Sequence, residues 1–488
     1  MKQLIYILLL KAVLLLGVIA LGLIELGPDE AQYWTWSKFL DWGYYSKPPA
    51  IAWQIAFGTS LFGDTELGVR FGALLLGFLL PIAIYYLSLA AGTKSTTAFW
   101  AAFAFAVTPM GVLASLLAIT DTGFVLFWTL ALIPILTALR NETKPSYLIV
   151  GLLIAFGALF KWPIYYLWPL ILFAWIWNPS LRSPQILLGM AISLLGLLPS
   201  LYWNANHDWV TFRHVLATFE GGSQKEARAP GNFWSFFGEQ FLLFSPLLFA
   251  LLIMTLRRKG PVPKPLRFCA YVSGLSLAVF LFLSLFQKMQ GNWVDFAYPT
   301  AAVFLAWAIF EGEFYKKIWF YAGVSIAILT SLIAITLPLW APYKIDPFKQ
   351  NKGLAKLGQE LDDLGYNPKE EFLVGDRYQT SSLLSFYTPA QKRAYFLNIN
   401  GVRNNQFSFW PSLKQEQQGR SGYYIVIEKP EKLKDPQSYL DKIKPYFQRV
   451  SIKKIAPLVY SDNEPVKSAL IIKADNYNGA EPPATQLY

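Results

Sequence analysis

The chain has 488 residues, of which 54% are hydrophobic and 17% are aromatic, and its mean hydropathy is +0.36. These values exclude an ordinary soluble domain. The net charge of +11 is compatible with nucleic-acid binding, but most basic residues between the apolar runs fall in short loops on one side, which is typical of membrane proteins. The single Cys269 excludes an intramolecular disulfide and a cysteine metal cluster. We therefore expect a membrane protein with no nucleic-acid partner.

The apolar runs in residues 1–340 predict about 11 transmembrane helices. We place them at 4–26, 67–90, 98–116, 122–139, 147–161, 164–178, 185–203, 236–256, 268–286, 295–310 and 317–340. The first run lacks a small-residue cleavage site, which indicates a retained anchor. The fifth and sixth runs are one apolar stretch interrupted by Lys161, Trp162 and Pro163, which predicts a tight reversal.

The basic loops predict the orientation in the lipid bilayer. With the N-terminus in the cytoplasm, the inner loops carry Lys94, Arg140, Lys144, Arg182, Arg257, Arg258, Lys259, Lys264, Arg267, Lys316 and Lys317. This is a positive-inside pattern. Because the number of spans is odd, residues 341–488 lie outside the cytoplasm. Their apolar runs at 372–374 and 423–427 and the helix-like segment 354–365 predict a soluble α/β domain.

Most of the unusual polar residues of the membrane part then fall on or near the outer face. They are Asp29, Glu30, Lys47, Arg70, Asp121, Lys161, His207, His214, Lys288 and Asn292. Any one of these could be an interfacial or snorkelling side chain. Together, acids and bases on one face indicate a cavity in which cations bind a phosphate and a carboxylate handles a proton.

Several motifs occur in a characteristic order. They are the pair Asp29 and Glu30, an aromatic loop ending in Ser46-Lys47-Pro48-Pro49, the segment Leu67-Gly68-Val69-Arg70-Phe71, the lone Asp121 and the Lys161-Trp162-Pro163 turn. In this order the chain resembles the GT-C class of polyprenyl-phosphate-sugar-dependent glycosyltransferases. It is most similar to the bacterial branch related to dolichyl-phosphate-mannose protein mannosyltransferases and the lipid A aminoarabinose transferase. Segments 203–214, 287–299 and 375–389 are also similar to that branch.

The resemblance implies a GT-C membrane enzyme of the bacterial inner membrane. Such an enzyme transfers a sugar from a polyprenyl-phosphate donor to a glycolipid (such as lipid A), a glycan or a protein, usually with inversion. Asp29 matches the acid of the first outer loop, as general base or acceptor-orienting group, and Asp121 matches the second outer-face acid. Lys47 matches the lysine expected to bind the lipid phosphate, supported by Arg70, Lys161 and Lys288.

Two sets of residues keep alternative interpretations. The aromatic residues of the first loop could form an interfacial belt, stack on sugar rings or line the lipid entry path; they are Trp34, Trp36, Trp42, Tyr44 and Tyr45. The residues that we expect to line the substrate path are Tyr33, Trp36, Tyr44, Tyr45, Asn292 and Trp293. Glu30 could bind a divalent metal (Mg, Mn or Zn), orient the acceptor or face water. His207 and His214 could be ordinary core or surface histidines, or could complete a metal site with Glu30. No cofactor is therefore assigned.

Two other functions compete with the enzyme. A polytopic transporter or lipid flippase would use buried charges for transport, but its charges should lie near the bilayer midplane and its halves should be inverted repeats. A membrane scaffold that presents residues 341–488 would leave the acidic loop unexplained.

Overall fold

The first 340 residues are built almost entirely of helices in the computed structural model, which describes residues 1–219, 230–258, 260–312, 314 and 316–485. In chain order the α-helices are α1 Lys2–Ala20, α2 Pro28–Ser37, α3 Ala50–Phe62, α4 Glu66–Ala90, α5 Ser95–Val107, α6 Pro109–Leu116, α7 Thr120–Asn141, α8 Tyr147–Ala158, α9 Leu167–Ala174, α10 Gln185–Ser193, α11 Leu198–Ala205, α12 Val210–Phe219, α13 Phe233–Phe244, α14 Pro246–Leu256, α15 Lys264–Leu283, α16 Tyr298–Phe310 and α17 Lys317–Trp340. The predicted polytopic helical class is confirmed.

The number of long spans is smaller than predicted. Within the described residues, seven helices are long and apolar enough to cross a membrane, or up to nine if two bent pairs are each one span. The pair α5 and α6 bends by 65° and the pair α13 and α14 by 105°, each at a proline, which cannot continue the helical hydrogen bonds. The predicted spans 147–161 and 164–178 correspond to shorter apolar helices on either side of the predicted break at Lys161. With the seven long helices and the two bent pairs, these two short helices account for all 11 predicted segments.

A lysine inside the apolar α1 stabilises the first of these bends. Lys11 Nζ donates to the carbonyl oxygens of Ala106 and Gly111, at 3.1 and 2.9 Å, on the two sides of Pro109. A helix break leaves carbonyls without their usual partners, and lipid offers no replacement. This intramembrane charge therefore has a structural use.

Residues after 341 form a mixed α/β domain, as predicted. Its helices are α18 Leu354–Asp363, α19 Tyr378–Tyr387, α20 Leu413–Gln417 and α21 Gln437–Ile443, and its strands are β1 Phe372–Gly375, β2 Tyr395–Phe396, β3 Gly422–Glu428, β4 Phe447–Ser461 and β5 Glu464–Tyr477. The sheet order is β2-β1-β3-β5-β4. Strand β1 is parallel to both of its neighbours, whereas β5 is antiparallel to β3 and β4.

This domain packs on α2 through α19. The Trp34 and Phe386 rings meet edge-on with centroids 5.0 Å apart. The Tyr387 hydroxyl accepts a hydrogen bond from the Leu26 amide and donates one to Glu66 Oε1, at 2.5 and 2.7 Å. Since α2 follows the first membrane helix, these contacts position the soluble domain over the loops that join the membrane helices.

A buried ion pair holds α2 on the membrane part. The Arg70 guanidinium donates to both carboxylate oxygens of Glu30, at 2.9 and 2.8 Å, and to the carbonyls of Ile24 and Glu25. Glu30 also accepts from the Ala118 amide at 2.9 Å. The two side chains are 0% and 4% exposed. The pair therefore links α2, α4 and the segment that precedes α7.

We expect Arg70→Met to destabilise the protein by about 3–5 kcal/mol, because it leaves the Glu30 carboxylate buried without its cation. The matched control is Lys264→Met, which removes the cation of the exposed pair with Glu142 and should leave the melting temperature nearly unchanged. Thermal melting of both purified variants in detergent measures the effect. Equal melting temperatures for Arg70→Met and the control would contradict this role.

Candidate active site

A cavity of about 490 Å³ opens where the ends of several helices meet. It lies between α2, the start of α7, the helix break at 161–163, the end of α15 and the following loop. Its lining residues are Asp29, Tyr33, Lys47, Ile119, Thr120, Asp121, Phe124, Lys161, Pro163, Phe280, Leu283, Gln287, Lys288, Met289, Gln290, Asn292 and Trp293. Eight of the predicted site residues are among them: Asp29, Asp121, Lys47, Lys161, Lys288, Tyr33, Asn292 and Trp293.

Helix α2 presents one of its two acids to the cavity. Asp29 and Tyr33 are four residues apart, so they share a helix face, and both line the cavity. The Asp29 side chain is exposed to the cavity that it lines. The surrounding protein displaces part of the water around the carboxylate, and this desolvation raises the pKa of Asp29, although the positive charges of Lys47 and Arg403 act in the opposite direction. Asp29 is therefore a better proton acceptor than an ordinary surface aspartate.

Lys47 approaches the same cavity from the loop between α2 and α3. The loop is closed by a hydrogen bond from the Tyr44 amide to the Lys47 carbonyl at 3.1 Å, and Pro48 and Pro49 restrict the chain that follows. Within the described residues, no carboxylate lies within ion-pair distance of Lys47 Nζ. Burial lowers the pKa of Lys47, and the charge of Lys161 lowers it further. Lys47 is thus a cation that an incoming anion would stabilise.

Asp121 lies at the centre of a polar cluster on the opposite wall. Its Oδ1 accepts from Lys161 Nζ at 2.7 Å and from Asn292 Nδ2 at 3.1 Å, and its Oδ2 accepts from the Thr120 hydroxyl at 3.3 Å. The side chain is 8% exposed. These contacts leave Asp121 little capacity to accept a proton, which favours a role in positioning Lys161 and Asn292.

The loop that carries Lys288 and Asn292 is fixed by a neighbouring segment. The Asn232 side chain donates to the Met289 carbonyl and accepts from the Met289 amide, both at 2.8 Å. Gln240 donates to the Gly291 carbonyl at 3.2 Å. The cavity wall formed by this loop is therefore held by side chains that lie outside the cavity.

Two predicted site residues point away from the cavity. Glu30 and Arg70 are buried against each other in the ion pair described above, and neither lines the cavity. The Arg70 guanidinium is used by Glu30 and by the carbonyls of Ile24 and Glu25. The structure therefore gives both residues a structural role, and their predicted roles in phosphate binding, catalysis or metal binding stay predictions.

Three of the predicted aromatic residues stabilise the loop rather than line the cavity. The rings of Trp36 and Tyr44 stack with centroids 4.5 Å apart, and the Tyr44 hydroxyl donates to the Trp36 and Phe39 carbonyls. The Tyr45 amide donates to Gln406 Oε1 at 2.7 Å, in the C-terminal domain. Trp36, Tyr44 and Tyr45 are not among the residues that line the cavity, and their place on the substrate path stays a prediction.

The two histidines do not form a site with Glu30. His207 stacks on Trp203 with ring centroids 4.0 Å apart, whereas His214 hydrogen-bonds to Arg403 at 3.2 Å. The part of the chain that the structure describes contains no group of three or more His, Cys, Asp or Glu side chains placed to hold a metal. The structure thus gives Glu30, His207 and His214 separate partners, and the metal site stays a prediction.

Two charged residues near the cavity were missed. Asp295 is 6% exposed, its Oδ1 accepts no hydrogen bond from the described residues, and its charge acts on Lys161. A lone acid next to an apolar run was the available signal. Arg403 belongs to the C-terminal domain, and its charge acts on both Asp29 and Lys47. The sequence offers no local signal for Arg403.

The chain is similar in sequence to known glycosyltransferases. Residues 46–203 match the family model described as dolichyl-phosphate-mannose-protein mannosyltransferase. Lipid A galacturonosyltransferase RgtD of Rhizobium johnstonii is 27% identical over 296 residues, which cover 58% of this chain and 60% of that protein. The undecaprenyl phosphate-alpha-4-amino-4-deoxy-L-arabinose arabinosyl transferase of Yersinia enterocolitica is 25% identical over 193 residues, 36% of this chain and 35% of that protein. The matches thus span less than two thirds of either relative.

The fold similarity extends over nearly the whole chain. Apo ArnT from Cupriavidus metallidurans superposes with a TM-score of 0.63 at 15% identity, covering 96% of this chain and 97% of that one. The chain has the GT-C fold. ArnT bound to undecaprenyl phosphate superposes almost as well, with a TM-score of 0.62 at 15% identity over 95% of this chain and 97% of that one. The resemblance found in the sequence motifs is confirmed.

We expect Lys47 to lose its proton at a lower pH than an ordinary lysine, because burial and Lys161 disfavour its charged form. A small amine-reactive reagent should therefore label Lys47 at a pH below its usual pKa of about 10.5. Peptide mass spectrometry across a pH series measures the labelling, with the exposed Lys264 as reference. A Lys47 titration at or above pH 10.5 would contradict the described electrostatics.

Proposed function

We propose that this GT-C protein is a membrane glycosyltransferase that moves a sugar from a polyprenyl-phosphate carrier to a glycolipid acceptor of the lipid A type. One observation carries the proposal: Asp29 and Lys47 line one cavity. Among the described residues, the acid has no hydrogen-bond partner and the cation has no ion-pair partner. Group transfer from a phosphate ester requires a base for the acceptor and positive charge for the leaving group.

The reaction follows from these two side chains. The acceptor hydroxyl attacks the anomeric carbon, its oxygen forms the new glycosidic bond, and its proton passes to Asp29. The bond between the anomeric carbon and the phosphate oxygen breaks, and the electron pair leaves with the polyprenyl phosphate. Lys47 stabilises the extra negative charge on that phosphate, so its contribution is larger in the transition state than in the substrate complex. Attack from the face opposite the phosphate inverts the anomeric carbon.

The rest of the cavity fits a lipid-linked sugar. Phe124, Phe280, Leu283 and Trp293 give it an apolar side that suits the polyprenyl chain. Lys288 and Lys161 add positive charge to the polar side. The Asp121 cluster supplies a fixed set of hydrogen-bonding groups, which suits the orientation of a sugar.

The names of the relatives support the substrate classes. One relative is named for lipid A and the other for undecaprenyl phosphate, and a structure with this fold contains undecaprenyl phosphate. We propose the same carrier class and a glycolipid acceptor for this chain. From the loop charges, we also propose that the cavity and the C-terminal domain face outward from a bacterial inner membrane.

The charges of the cavity favour an enzyme over a transporter. Asp121 is the second residue of α7, and Lys288 follows the end of α15. Lys161 lies between α8 and α9. Charges at helix ends suit a surface reaction, whereas transporter sites are typically near the bilayer midplane.

We expect Asp29→Asn to lower the rate of sugar transfer by about 10²–10⁴-fold, because the amide cannot take the acceptor proton. Binding of undecaprenyl phosphate should persist. The test is transfer of a labelled sugar from a polyprenyl-phosphate donor in detergent, with the exposed Asp362→Asn as matched control.

The same assay gives a pH dependence. Since Asp29 must be deprotonated and its pKa is raised, wild-type transfer should fall as the pH is lowered through that raised pKa. Asp29→Asn should lack this acidic limb. Near-normal transfer by a folded Asp29→Asn protein would remove Asp29 from the mechanism.

A further inference from the structure

Arg403 is an exposed residue of the C-terminal domain that lies outside the lining of the cavity. It lies between β2 and the short helix Gln406–Phe409. Its Nη1 is 3.2 Å from Nδ1 and 3.4 Å from Nε2 of His214 on α12, and its charge also acts on Tyr378 at the start of α19. Arg403 therefore connects the soluble domain with the loop region of the membrane part.

His214 and Tyr378, the two groups described next to this guanidinium, are neutral. Burial, together with the charges of Arg403 and Lys47, lowers the pKa of His214 to about 4, so the imidazole is uncharged near neutral pH. Burial and the charge of Asp29 raise the pKa of Tyr378, so the phenol keeps its proton. Within the described residues, no carboxylate lies within 4.0 Å of Arg403. Its positive charge is held in place without being neutralised by an ion pair.

Two cations therefore lie near the same small region. The His214 ring that contacts Arg403 lies 4.9 Å from the ring of Tyr45, two residues before Lys47. Lys47 and Arg403 each influence Asp29 and His214, and Arg403 contributes to the lowered pKa of Lys47. The single carboxylate of Asp29 offsets only one of these two positive charges, so a further anion would be stabilised here. A phosphate is the anion that best matches one planar guanidinium and one ammonium.

We propose that Arg403 and Lys47 together bind a phosphate group at the side of the cavity that faces the C-terminal domain. The inference rests on the proposed function for its ligand class, since the phosphate comes from either the polyprenyl carrier or a phosphorylated glycolipid acceptor. The C-terminal domain thus supplies a substrate-binding residue, and its docking on α2 and α12 completes the site.

The first experiment measures binding of undecaprenyl phosphate and of uncharged undecaprenol to the full chain in detergent. A charge-assisted hydrogen bond contributes about 1.5–3 kcal/mol, so Arg403→Ala should weaken undecaprenyl phosphate binding by about 10–100-fold and leave undecaprenol binding unchanged. Arg403→Lys keeps the positive charge but lacks the planar, two-pronged guanidinium, so it should bind undecaprenyl phosphate more tightly than Arg403→Ala but less tightly than the wild type. The matched control Arg449→Ala removes an exposed arginine of the same domain and should have no effect.

The second experiment distinguishes the two phosphate sources. If the phosphate belongs to the acceptor, Arg403→Ala leaves carrier binding intact and raises KM for the phosphorylated acceptor but not for its dephosphorylated form. Unchanged carrier binding together with unchanged KM for both acceptors, in Arg403→Ala protein that melts like wild type, would overturn the proposal. Loss of carrier binding in Arg403→Ala, with no sugar transfer by the wild type, would support this site while refuting the proposed enzyme.

Discussion

The ion pair between Glu30 and Arg70 is the constraint on which the site depends. A carboxylate and a guanidinium removed from water are stable only when all of their hydrogen-bonding groups are used. Here the pair uses the carbonyls of Ile24 and Glu25 and the amide of Ala118. Ala118 is three residues before Asp121. The pair therefore fixes both the helix that carries Asp29 and the segment that precedes the second acid.

The adjacent acids Asp29 and Glu30 of α2 consequently have different roles. Glu30 faces the protein and holds α2 in place, whereas Asp29 is one residue away and faces the cavity. The same helix contacts α19, so the soluble domain is positioned by the element that carries the proposed base. The packing of the C-terminal domain therefore affects the surroundings of Asp29. Arg403 is the charged residue that this packing brings near Asp29 and Lys47.

Much of the cavity could be predicted because its residues have strong local signals. Lys47 precedes two prolines, Asp121 begins an apolar helix, and Lys161 interrupts an apolar stretch. The roles of Glu30 and Arg70 could not be predicted, because the sequence does not show which face of α2 packs against α4. The apolar runs could be predicted from hydropathy, whereas the bends at Pro109 and Pro246 within two of them were not predicted. Arg403 is more than 350 residues from Lys47, and only the packing of two domains brings their charges together.

The most direct test of this account is a structure of the full chain with undecaprenyl phosphate bound, determined by cryo-electron microscopy in a lipid nanodisc. The account predicts a phosphate oxygen within hydrogen-bond distance of Lys47 Nζ, the polyprenyl chain against Phe124 and Phe280, and the pair of Arg70 with Glu30 unchanged. A phosphate bound outside this cavity, or one that takes Arg70 away from Glu30, would contradict it.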